Sequence, residues 1–171
     1  MGEDVVQRLL WMAMLAGVMV GSVLSPASCH AQARCLWLNA ATAEGVLGGT
    51  VQMDVTPLTL QGDATCEFTR KMDSTVYLLR IAVHSMDNPS KDFASYLSQC
   101  DGTTTPLKAI GNEAVQCVPR GSSTAGEERV IGRVRERAFI LTIRRNMPAL
   151  PKEGLREDTR NIAEQIAGSL F

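Results

Sequence analysis

A chain of 171 residues, 45% of them hydrophobic and 20% charged, has the make-up of an ordinary globular protein and the length for one domain with a sizeable core. The formal net charge of −1 excludes a global field that would gather nucleic acid or an acidic polymer. With 5% aromatic residues there are few platforms on which bases or sugars could stack.

An apolar run from Leu9 to Leu24 is followed by Pro26, several small residues and Ala31-Gln32-Ala33. An apolar core ahead of an A-x-A site is the pattern of a secretory signal. It predicts a signal peptide over 1–33, cleavage after Ala33, and a single disulfide-stapled domain over 34–171. Glu3 and Asp4 precede Arg8, so the leading region is not clearly positive, and two alternatives stay open. The run, short for a span, could be retained as a membrane anchor. Cys29 could be lipidated: Ala27-Ser28 fit a lipobox, but Pro26 stands where an aliphatic residue is wanted. A membrane is expected as a partner only in those two cases. Removing 1–33 leaves equal numbers of basic and acidic side chains.

In the mature segment, Asn39 is a fair N-cap and Gly48 a fair C′ residue for a short helix with Ala43, Val46 and Leu47 on one side. Thr50 to Thr56 alternates and stops at Pro57, which predicts a strand. Gln61-Gly62-Asp63 turns the chain, Thr65 to Arg70 is a second strand, and Lys71-Met72-Asp73-Ser74 turns it again. Thr75 to His84 carries Tyr77, Leu79, Ile81 and Val83 on one face and Val76, Leu78 and Ala82 on the other. Apolar residues on both faces predict a central strand. Ser90 is placed to cap a helix in which Phe93, Tyr96, Leu97 and Cys100 share a side.

Glu113 to Val118 reads as a strand and Pro119 to Gly126 as a mobile loop. Val130 to Val134 and Phe139 to Ile143 form a hairpin around Arg135-Glu136-Arg137-Ala138. Ile162, Ala163, Ile166, Ala167 and Leu170 then give one apolar helical stripe, which must cover a sheet because a lone hairpin is marginal in water. Phe171 reads as a hydrophobic plug on the domain. The fold expected is α+β: a single domain with an antiparallel sheet of about five to seven strands and helices packed on it. A strand, strand, helix echo relates the stretch from Cys66 to the helix at Phe93 with that from Cys117 to the helix at Ile162, a possible pseudo-repeat.

Several of these pieces resemble a known group. They are Cys35-Leu-Trp-Leu-Asn-Ala, the Leu47-Gly48-Gly49 helix end, a second cysteine in a strand, Ile110-Gly111-Asn112-Glu113-Ala114 and the hairpin before a closing helix. Together they resemble small exported bacterial domains of unknown function, many of them lipoproteins, whose fold is similar to the PsbP-like sandwich. The resemblance implies a fold and a compartment and carries over no catalytic residue.

Four cysteines in an exported segment, Cys35, Cys66, Cys100 and Cys117, predict two disulfides and a periplasmic or secreted location. Of three connectivities, Cys35–Cys66 with Cys100–Cys117 is favoured, because each bridge tethers neighbouring elements and leaves the halves separately closed. No metal site is expected, with no C-x-x-C pair and His84 the lone histidine of the segment. No cofactor is expected either: no glycine-rich loop opens a helix. Asp54, Asp63, Glu67 and Asp73 could pair as carboxylates, though single acids beside turns usually face water.

The function expected is that of an exported, non-catalytic binding or interaction module, its partner an envelope protein, a glycan or another anionic ligand, and not nucleic acid. The alternatives are a small hydrolase or thiol enzyme built on His84 and a cysteine, or a purely structural envelope protein. The candidate ligand site is Arg129, Arg133 and Arg135, which with Ile131 are placed on one strand face beside the loop at 119–126, while Arg144-Arg145 end the next strand and extend the basic strip. Against it stands the wet face of an antiparallel sheet, with Glu127, Glu128 and Glu136 offsetting the charge.

Overall fold

The computed structural model describes residues 34–120, 126–145 and 152–171. The signal segment over 1–33, Cys29 within it, and residues 121–125 of the expected mobile loop lie outside the described residues.

Three helices among the described residues, α1 (Ala40–Leu47), α2 (Pro89–Leu97) and α3 (Lys152–Leu170), pack on one seven-stranded antiparallel sheet. The strands are β1 (Gln52–Thr56), β2 (Ala64–Met72), β3 (Thr75–Ser85), β4 (Thr103–Leu107), β5 (Glu113–Val118), β6 (Glu127–Val134) and β7 (Arg137–Arg144). Their order across the sheet is β1-β2-β3-β7-β6-β5-β4. Two antiparallel meanders, β1 to β3 and β4 to β7, therefore meet at the β3–β7 seam, where Ile81 faces Leu141 and Ala82 faces Ile140. The expected α+β single domain is what forms.

The inner face of the sheet holds the main core. Phe68 from β2, Tyr77, Leu79, Ile81 and Val83 from β3, and Phe139, Leu141 and Ile143 from β7 are all buried there. Alternation at period two puts these residues on one side, and burying that much apolar surface is the main favourable term of folding. α1 covers the β2–β3 part and α3 the β6–β7 part. α3 contributes Leu155, Ile162, Ala163, Ile166 and Ala167 to the core. It begins well before the expected stripe, because Thr159 and Leu155 extend the buried line one and two turns toward its N-terminus.

The cap of α1 is as expected: Asn39 Oδ1 accepts from Thr42 N at 2.8 Å, and Gly48 closes the helix with φ 78°. Arg70 adds a second stop by donating to the Leu47 carbonyl at 2.7 Å. α2 is capped by Asn88 rather than Ser90. Pro89 takes the first helical position, where its preset φ and missing N–H cost nothing.

α2 lies on the outer face, over β6 and β7. Phe93 packs there with Met86, Ile131 and Ala138 in a second, smaller core. The strand, strand, helix echo is therefore not equivalent in space, since α2 and α3 cover opposite faces. The two cysteines of the echo also differ: Cys66 faces the inner core opposite Ile81, whereas Cys117 is opposite Arg129 on the outer side.

Cys35 bonds Cys66 and Cys100 bonds Cys117, the favoured pairing, with Cα atoms 5.7 and 6.0 Å apart. The first holds the segment carrying Trp37 and Leu38 against the inner core. The second ties the chain just beyond α2 to β5. β4 is the one strand the sequence pattern does not predict; it is a short edge strand, and Pro106 within it is tolerated because an edge leaves one side unpaired.

Candidate functional site

The three arginines expected to share one face are separated by the fold. Arg129 and Arg133 do point to the outer face of β6 with Glu127 and Ile131, but α2 covers Ile131 between them. Arg133 lies on one side of this helix, donating to Glu113 at 2.8 Å with its guanidinium 5.9 Å from the Phe93 ring centre. Arg135 is not on the strand. It sits in the two-residue turn between β6 and β7 with φ 53°, its N–H held by Asn112 Oδ1 at 2.6 Å. A two-residue turn must reverse the chain there, which takes Arg135 off the period-two alternation.

Phe171 is 63% exposed, with the Arg135 guanidinium 5.7 Å from its ring centre, so it does not plug the core. Glu128 also departs from expectation: it faces inward, is buried, and accepts from Gln116 Nε2 at 2.5 Å. Burial raises its pKa above the ordinary carboxyl value, against the opposing pull of the Gln116 hydrogen bond and the Arg156 charge.

Arg129 alone of the three faces a cleft. The outer face there is a grid set by strand register. One row runs Arg80, Thr142, Arg129 across β3, β7 and β6, and the next runs Ala82, Ile140, Ile131. On the other side of the arginine row lie Leu78, Arg144 and Glu127. These side chains, except Ile131 under α2, line a cavity of about 380 Å³ together with His84 and with Gln99 just past α2. Its cations are Arg80, Arg129 and Arg144 against the one acid Glu127, a formal charge of +2.

Arg129 is spoken for, since Glu127 Oε1 accepts from its Nε at 3.0 Å and its Nη2 at 2.7 Å. Among the described residues Arg80 and Arg144 have no carboxylate within ion-pair distance. Glu67, opposite Arg80 on β2, and Asp54 beyond it on β1 belong to the same row, so this face is acidic toward its β1 edge and basic around Thr142. The sequence pattern places Arg144 at the end of the second hairpin strand, but nothing in it marks Arg80 as a neighbour, because the register that gathers them joins strands about 60 residues apart.

A second cavity of about 360 Å³ lies between α3 and the β4–β5 edge. Its cations are engaged. Arg156 donates to Gln116 Oε1 at 3.1 Å and Thr105 Oγ1 at 3.2 Å, and Arg160 donates to Glu164 at 2.9 Å. It works as a polar lock between helix and sheet, and Arg80 and Arg144 of the first cavity remain the ones open to a ligand.

His84 closes one end of the first cavity. Its Nδ1 is 3.2 Å from Asp63 Oδ2, and its ring stacks on Tyr96 with centroids 5.2 Å apart. Burial, then Asp63 and Asp92, raise the Tyr96 pKa. All four cysteines of residues 34–171 are in disulfides, so the thiol expected of a His84–cysteine pair is not found among the described residues. Of the acids considered as a pair, Asp63 is taken up by His84 and by the Ser85 N–H at 3.1 Å. No group of three His, Cys, Asp or Glu side chains gathers at metal-binding distance among the described residues. No described helix is long and apolar enough to cross a membrane.

Comparison with known proteins finds no matching family model, no matching curated protein and no matching solved structure.

Proposed function

We propose that the chain is an exported, non-catalytic binding module of the periplasm or cell surface that takes an anionic group in the cleft around Thr142. The observation that carries this reading is the pair Arg80 and Arg144, two guanidinium groups at one cavity with no carboxylate partner among the described residues. Guanidinium groups are planar, weakly hydrated and permanently charged, which suits them to oxyanions. Export is supported by the apolar run and A-x-A pattern and by two disulfides, which persist in oxidising compartments. The likeness to small exported domains with a PsbP-like sandwich is part of the same reading.

The test has two parts. Inorganic phosphate should raise the melting temperature of the purified protein in a dose-dependent manner, and added sodium chloride should suppress the rise. A chromogenic phosphate monoester should be recovered uncleaved after long incubation. A melting temperature indifferent to phosphate removes the anion site, and steady turnover removes the non-catalytic reading.

A further inference from the structure

The cationic row is bordered by apolar side chains. Ala82 and Ile140 face each other across β3 and β7 immediately beside Arg80 and Thr142, and Leu78 lies on the far side of Arg80. All three line the cavity on the outer face of the sheet and are half-buried, Ile140 packing on one side against the small core under α2 and presenting its remaining surface to the cavity. An anion site for a small inorganic ion has no need of such a floor, since apolar surface held open to water is stabilising only when something covers it. The charge is equally specific. The lining carries +2, which one phosphate monoester near pH 7, at about −1.5 to −2, would neutralise. A monocarboxylate would leave one cation unmatched. A cavity of about 380 Å³ falls in the range of small-molecule sites, which join an apolar body to a few convergent polar groups.

Resting on the anion site proposed above, we infer that the cleft binds a small amphiphilic phosphate monoester. Its head group lies among Arg80, Arg129 and Arg144 over the Thr142 hydroxyl, and its apolar body lies on Ala82 and Ile140, in the row beside it. Gln99 bounds the cleft where the Cys100–Cys117 bridge fixes the chain to β5. A head group on Thr142 has Arg80 and Arg129 on the two neighbouring strands, each about 5 Å away at the backbone, within reach of a long side chain.

The experiment is titration calorimetry on the purified protein with hexyl phosphate, inorganic phosphate and hexanoate, each below any concentration at which it aggregates. Hexyl phosphate should bind at least tenfold tighter than either of the others. Ile140→Thr should remove most of that advantage while leaving the inorganic phosphate affinity within threefold. If that variant melts early, Ala82→Ser, opposite Ile140 on β3, should show the same loss. Equal affinities for hexyl phosphate and inorganic phosphate overturn the inference and leave the anion site standing. Hexanoate binding as tightly as hexyl phosphate overturns the phosphate assignment. No binding of any of the three overturns both readings. Binding to anionic phospholipid vesicles with none to dissolved hexyl phosphate overturns the small-molecule reading in favour of a membrane surface.

Discussion

Arg80 and Arg129 lie on opposite sides of Thr142, one strand away on each side, although 49 positions separate them in the chain. Strands about 5 Å apart put their Cα atoms roughly 10 Å from each other, a span that two extended arginine side chains can close over one anion. The β3–β7 seam between the two meanders creates this relationship, so the site depends on the topology of the sheet and on no single motif.

The two disulfides should separate stability from binding. Their loops of 31 and 17 residues imply a loss of about 3 to 4 kcal/mol for each bridge removed, on the chain-entropy account. Cys35→Ala with Cys66→Ala should lower the melting temperature and leave phosphate affinity unchanged at temperatures where the domain is folded, because that bridge lies on the inner face. Cys100→Ala with Cys117→Ala should lower both the melting temperature and the phosphate affinity, since it frees the Gln99 side of the cleft. Chemical denaturation and phosphate titration of the two variants check this; equal affinity in both would show that the bridge beside α2 does not shape the cleft.

Gly132 should tolerate no side chain. The Phe139 ring lies across it, and a Cβ there would stand 2.3 Å from Phe139 Cζ. That ring is fully buried, with no space to retreat. Gly132→Ala should therefore cost on the order of 2 kcal/mol, read as a lower midpoint in urea. A midpoint equal to that of the parent would mean that the ring moves freely.

Glu128 predicts a pH dependence of stability. Its folded pKa is raised above 4.5 by burial, so the native state binds its proton more readily than the unfolded chain. Stability contributed by this group therefore falls as pH rises from the unfolded value through the folded one, and the ionised, buried form is a cost at neutral pH. Glu128→Gln keeps an oxygen for the Gln116 donor and removes the charge. It should raise the melting temperature at pH 7, with the gain shrinking to nothing below pH 4.5. A variant less stable than the parent at pH 7 would show that the charge on Glu128 is needed by Arg156.

The fold was legible where pattern and chemistry agree. Tyr77, Leu79, Ile81 and Val83 mark the central strand, Asn39 and Gly48 bracket α1, and an even number of cysteines placed on neighbouring elements points to the bridges that form. β4 was illegible because an edge strand needs neither alternation nor the absence of proline. The candidate site was legible in Arg129 and in Arg144 at the end of the next strand, but not in Arg80. Period two assigns a face to each residue of a strand, but it cannot say that α2 will cover Ile131 and part Arg129 from Arg133. Nor does it set the register that brings Arg80 and Arg144 beside Arg129.

Arg135 tests the turn. A non-glycine residue with φ 53° costs roughly 1 to 2 kcal/mol relative to an unstrained conformation, while glycine pays roughly 0.5 to 1 kcal/mol in entropy. Arg135→Gly should therefore leave the melting temperature unchanged or raise it by a few degrees, and leave phosphate affinity unchanged. Weaker phosphate binding in this variant would return Arg135 to the site.

The most direct measurement compares two double variants in one phosphate titration at low ionic strength. Arg80→Ala with Arg144→Ala removes the two cavity cations that lack a carboxylate partner; Arg133→Ala with Arg135→Ala removes two that lie outside the cavity. Both should melt within a few degrees of the parent, since exposed or half-buried surface charges contribute little to stability. The first variant should bind inorganic phosphate at least tenfold more weakly than the parent, and the second within twofold of it. The opposite order, or parental affinity in both variants, would contradict the assignment of an anion site to the cleft around Thr142.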